Sequence, residues 1–136
     1  MVVVGFSFNK IEVEKKPDFK GKVSIKNNIQ IKDVEKSDLF LGKTKQDSLK
    51  FTFEYSTVYE PGLGKISFTG NVLFVEEEKK IKDILKEWKK GKKIEAEVMT
   101  VLLNNILSKC NIEALMLSRD AGLPPPMPMP KVEVKK

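Results

Sequence analysis

Residues 98–121 carry apolar side chains on more than one side of what reads as a helix, and this constrains the fold more than any other stretch. Met99, Leu102, Leu103, Ile106, Cys110, Ala114, Leu117 and Ala121 recur at three- and four-residue steps, one face of a helix. Val98, Val101, Ile112, Leu115 and Met116 fall outside that stripe. A helix resting on one sheet needs one apolar stripe. The surplus requires a second partner: a neighbouring subunit, the returning tail, or an apolar client. Gly122 breaks the helix, and residues 123–130 read Leu-Pro-Pro-Pro-Met-Pro-Met-Pro. Such a run cannot be helical and favours an extended, polyproline-like path. Leu123, Met127 and Met129 within it favour burial, so the plain reading packs the segment along the sheet or the helix. The functional reading makes Met127 and Met129 part of an adaptable apolar groove, because Met repacks to suit varied partners.

The preceding residues read as the platform. Residues 2–15 form a strand in which Val4, Phe6 and Phe8 share a face, while Ile11 and Val13 follow on the opposite parity. That slip predicts a bulge near Asn9 and Lys10, since a strand repeats every two residues. In residues 22–33, Val23, Ile25, Ile29 and Ile31 face one way, with Asn27 interrupting, and Lys, Ser, Asn and Gln face the other. One apolar and one polar face mark an antiparallel sheet with a solvated side. Residues 34–48 are charged and irregular around the island Leu39, Phe40, Leu41. They read as a short strand or as a crossover loop folded over the helix. Leu49, Phe51, Phe53, Tyr55 and Tyr59 define a third strand, and Ile66, Phe68, Val72 and Phe74 a fourth, joined by a turn through Pro61, Gly62 and Gly64. Gly70 within the fourth predicts a bulge or a place of close packing. At residue 76 the period changes. Ile81, Ile84, Leu85 and Trp88 form a helical stripe, with Glu76–Glu78 at its start and Lys86, Lys89 and Lys90 at its end, which suits the helix dipole; Gly91 is expected to stop it. Strands first and helices last give an α+β fold: a four-stranded antiparallel sheet followed by two helices packed on one face. The 136 residues are expected to form a single domain, strand-rich over 1–76, helical over 77–121 and Pro/Met-rich over 122–136.

Site chemistry is sparse. The chain has no His, which removes the usual general base and the commonest metal ligand. The single Cys allows no intrachain disulfide, and Cys110 sits in the helix stripe as a small core hydrophobe. Neither a phosphate-binding glycine loop nor metal-ligand spacing occurs, and the one arginine, Arg119, supplies little for base or phosphate recognition. No enzymatic activity and no cofactor or metal are expected. The apolar start of the chain is too short for a signal peptide, and no run approaches the roughly 20 apolar residues of a membrane span. The expectation is therefore a cytoplasmic protein without membrane insertion.

The order of elements, together with Ser118, Arg119, Gly122, Leu123, Pro124, Met127, Met129, Pro130 and Val132 at the helix end, resembles the SecB-type export chaperones. The resemblance implies a homotetramer whose helices pack between dimers. It also implies apolar grooves that hold unfolded polypeptides without ATP, in the service of protein transport. Two departures stand out. The strand face that is acidic in that family, where it docks the motor, carries lysines here, and the family's metal-stabilised tail is replaced by residues 131–136, rich in lysine. The resulting expectation is a SecB-like holding chaperone for non-native polypeptides, assembled as a dimer or tetramer. The candidate polypeptide-binding or oligomer surface comprises Phe40, Leu41, Val98, Val101, Ile112, Leu115, Met116, Met127 and Met129. The alternative, motivated by a net charge of +6 and the lysines of residues 22–32, is a basic RNA- or ribosome-associated accessory protein.

Overall fold

The computed structural model describes residues 2–16, 22–41 and 44–126; the side chains of 2, 39–41 and 44–46 lie outside that description. Six elements follow one another: β1 (Val2–Lys15), β2 (Ser24–Leu41), β3 (Thr44–Glu60), β4 (Gly64–Val75), α1 (Glu78–Gly91) and α2 (Ala96–Ala121). The strands form one antiparallel sheet in the order β1-β4-β3-β2. Both helices pack on the same sheet face, α1 over β2 and β3, α2 over β4 and β1. This is the expected α+β arrangement.

Alternation along β3 and β4 builds the core. Leu49, Phe51, Phe53, Tyr55, Tyr59, Ile66, Phe68, Val72 and Phe74 all lie at 1% exposure or less. Burying such a side chain stabilises by about 1.5–3 kcal/mol relative to leaving it in water. The edge strands adapt by bulging. In β1, Val4 and Asn9 fall between register shifts, so the residues packed on the core change from Val3 to Phe6 and Phe8, then to Val13, while Ile11 shares that parity but stays 45% exposed. The slip expected near Asn9 is this second bulge. The first one corrects the placement of Val4, which is turned outward and exposed while Val3 packs inward. Gly70 lies opposite Phe8, and the Phe53 ring occupies the space a side chain at Gly70 would take. Phe6 stacks on that same ring at 5.2 Å. Of the two expectations for this glycine, close packing holds; the neighbouring bulge belongs to β1 at Asn9, and β4 runs through Gly70 without one.

Residues 34–41 and 44–48 are neither irregular nor a crossover loop. They complete β2 and begin β3, paired from Val34 opposite Phe51 to Leu41 opposite Thr44. A bulge at Lys32 shifts the inward parity from Ile31 to Val34, and beyond Val34 that parity carries Lys36 and Asp38, so no apolar alternation marks the strand in the sequence. Ser48 Oγ donates to the Ser37 carbonyl (2.8 Å), and Lys36 pairs with Asp47 (3.9 Å), so polar side chains join this ribbon where apolar packing thins out.

The first helix also ends one residue later than expected. Gly91 is its last helical residue, and Lys92 takes the left-handed conformation (φ 52°), with its N–H on the Trp88 carbonyl. The helix-stopping backbone thus falls on a lysine rather than on the glycine beside it. In α2 the cap falls where the sequence places it: Gly122 is left-handed (φ 73°), its N–H bonds the Arg119 carbonyl and the Leu123 N–H bonds the Ser118 carbonyl.

Candidate interaction surface

The second helix carries the candidate surface, and its contact line explains which apolar residues remain outside. The buried residues are Val98, Leu102, Ile106, Cys110, Ala114 and Ser118, each four from the next. At 3.6 residues per turn, a four-residue step advances by about 40° around the axis, so the contact line winds slightly more than halfway around the helix. A twisted sheet beneath a long helix produces such drift. Val98 and Met116 are five full turns apart and share one azimuth. Val98 is fully buried, whereas Met116 is 47% exposed. This corrects the assignment of Val98 to the surface: at the N-terminal end that azimuth faces the sheet, and at the C-terminal end it faces away.

Val101 (41% exposed), Ile112 (59%) and Met116 remain as large apolar groups on the outer side of α2. Leu115 is half-buried beside them. Leu115 and Met116 line one wall of a groove of about 460 Å³, closed by Ser118, Arg119, Leu123 and Pro125. The far wall is the proline segment, and two residues that the sequence reading did not assign hold it in place. Tyr59 Oη donates to the Pro124 carbonyl (2.7 Å), and Asn27 Nδ2 donates to the Pro126 carbonyl (3.0 Å). Thr57 Oγ1 in turn donates to Asn27 Oδ1 (2.7 Å), which satisfies a polar pair in otherwise apolar surroundings. Asn27, which breaks the aliphatic alternation of β2, is thus the clamp for the tail. Burial, with Tyr55 beside it, pushes the Tyr59 hydroxyl up to about 12. The clamp therefore keeps its proton at neutral pH.

Two of the candidate residues, Met127 and Met129, lie outside the described residues, as do the side chains of Phe40 and Leu41, whose backbones end β2 opposite Lys45 and Thr44. Cys110 is fully buried, and burial pushes its thiol up to about 12, which suits a packing group rather than a nucleophile. Among the described residues, no group of three or more His, Cys, Asp or Glu side chains is placed to hold a metal ion. No helix among them is long and apolar enough to cross a membrane.

The sheet face turned away from the helices is polar. Lys26 pairs with Glu60 (3.3 Å) and Lys32 with Glu54 (3.7 Å) across β2 and β3, and Lys10 pairs with Glu12 (2.8 Å) along β1. Lys26 and Lys32, part of the motive for an RNA-binding reading, have acidic partners here.

No protein-family model matches the chain, and no curated protein matches it in sequence. Among solved structures, the chain is similar to the SecB-like chaperone of Mycobacterium tuberculosis in complex with a ChAD peptide from the HigA1 antitoxin. The TM-score is 0.53 at 8% identity, over 99% of this chain and 92% of that one. At this identity the likeness is one of architecture, and the chain accordingly has a SecB-like fold.

Proposed function

We propose that the protein is an ATP-independent holding chaperone that binds non-native polypeptides and has no enzymatic activity. The observation that carries this reading is the outer side of α2: Val101, Ile112 and Met116 stay exposed on a helix that has already buried one full contact line. Apolar groups of this size beside an open groove suit an apolar partner. The SecB-like fold supports the same reading, since the similar mycobacterial chaperone was solved with a peptide. The protein works as a homo-oligomer, a dimer or tetramer, in the cytoplasm, where it takes part in protein transport. In the assembly, part of the α2 surface meets a second copy and the remainder, with the groove at Leu115 and Met116, meets the client.

The test is aggregation of a heat-unfolded model protein, followed by light scattering with and without the chaperone and without nucleotide. Suppression at a several-fold molar excess supports the proposal. Unchanged scattering at every ratio would rule it out.

A further inference from the structure

The positive charge of this chain sits in one place. Residues 79–93 hold eight lysines against two acids, Asp83 and Glu87, a surplus equal to the net charge of +6 for the whole chain. Removing those eight from 25 basic residues and those two from 19 acidic ones leaves 17 of each, so the remainder of the chain is neutral. Within α1, Lys79, Lys82, Lys86, Lys89 and Lys90 are all exposed. Their spacing of three, four, three and one places them in an arc of about 100° along about 17 Å of helix. The opposite side is buried through Ile81 and Ile84.

Helix stabilisation does not account for this stripe. Lys89 and Lys90 in the last turn complement the dipole, but Lys79 lies in the first turn, where a cation is disfavoured. Of the five, only Lys82 is ion-paired among the described residues, with Glu78 at 3.2 Å. The other four are unlike Lys10, Lys26, Lys32 and Lys36 on the sheet, each of which has an acid within 4 Å.

We infer that this lysine stripe docks acidic segments of polypeptide clients, a refinement that rests on the client-binding function proposed above. Charge complementarity identifies an anionic partner. A bilayer is the poorer fit, because the apolar side of α1 faces the sheet and the outer stripe offers nothing to insert. Nucleic acid is also the poorer fit, since the stripe presents neither arginine nor an exposed aromatic ring for bases. A polypeptide uses both features on this side of the sheet: carboxylates against α1, apolar residues against Val101, Ile112 and Met116 of α2. Lysines are mobile point charges, suited to acids of varied spacing.

The experiment compares two labelled unfolded peptides of equal length and apolar content, one with clustered Glu and one with Gln at those positions. Binding is measured to the wild-type protein and to the Lys79→Gln/Lys86→Gln/Lys90→Gln variant, at low and high salt, with a single-stranded homopolymer RNA as competitor. Wild-type protein should bind the Glu peptide about tenfold tighter than the Gln peptide at low salt, with the preference lost at high salt. The variant should bind both peptides as the wild type binds the Gln peptide. Equal wild-type affinities for the two peptides would overturn the inference while leaving the client-binding function standing. A Glu preference that survives in the variant would overturn it too. Tighter binding of the RNA than of the Glu peptide, abolished in the variant, would reassign the stripe to nucleic acid. Failure of both peptides to bind would overturn both proposals.

Discussion

Replacing the outer residues of α2 by glutamine, as Val101→Gln/Ile112→Gln/Met116→Gln, separates folding from binding. Full burial of an apolar side chain is worth about 1.5–3 kcal/mol, and the gain still to be made on docking scales with what remains exposed. Exposures of 41%, 59% and 47% leave about 0.6–1.2, 0.9–1.8 and 0.7–1.4 kcal/mol respectively. Together these amount to about 2–4 kcal/mol, or an affinity loss of about 30- to 1,000-fold if all three dock. Folding should hardly change. Glutamine is at least as good a helix former as Val, Ile or Met at exposed positions, and surface substitutions usually stay within about 0.5 kcal/mol. Titration calorimetry with an unfolded peptide measures the first quantity, sedimentation the self-association, and urea melts followed by circular dichroism the stability. Unchanged peptide affinity and unchanged mass would refute the assignment of this surface. A variant that fails to fold would show instead that these residues belong to the core.

Other perturbations probe the platform. Gly70→Ala should destabilise by about 1–3 kcal/mol through overpacking, since the new methyl meets the Ser7 carbonyl and lies 2.7 Å from Phe53 Cζ; a lowered urea midpoint at constant slope is the readout. Gly91→Ala combined with Lys92→Gly should stabilise by about 1–2 kcal/mol. It puts a helix former where the nearest neighbouring atoms are 3.9 Å away and a glycine where φ is 52°; a lower melting point would contradict the cap geometry. Tyr59→Phe should cost about 1 kcal/mol and loosen the proline segment, read as faster proteolysis after residue 122. Tyr59 and Cys110 both have folded pKa values raised to about 12, from 10.0 and 9.0. In each case the neutral form is the folded one, so stability should be flat below about pH 9 and fall as pH rises toward 12, where the unfolded chain loses protons first. Cys110→Ala should delay the onset of that fall to about pH 10. Native protein should also resist thiol reagents until it unfolds.

What could be read in the sequence follows from how local each determinant is. Leu49 to Tyr59 and Ile66 to Phe74 keep one inward parity from end to end, broken in apolar character only by Thr57 and Gly70, because both strands are central and flanked on each side. The edge strands mislead because single-residue bulges at Val4 and Lys32 invert the parity, and nothing in the local sequence announces them. The slip at Asn9 was legible only because apolar residues continue beyond it. On α2, Val101, Ile112 and Met116 are recognisable as surplus from helical spacing alone. Val98 is not separable from Met116 that way, since the two share an azimuth and only the twist of the sheet distinguishes them. The groove was illegible, because its far wall depends on Asn27 and Tyr59, which lie 99 and 65 residues from the carbonyls they bind.

The most direct test of the central claim, that partners dock on the outer side of α2, is site-specific photo-crosslinking. A photoreactive residue is placed at Ile112 and, as control, at exposed Glu54 on the far sheet face, and each protein is irradiated with an unfolded client. The account predicts adducts from position 112, to the client or to a second copy of the chain, and none from position 54. Client adducts from position 54 with none of either kind from position 112 would contradict it.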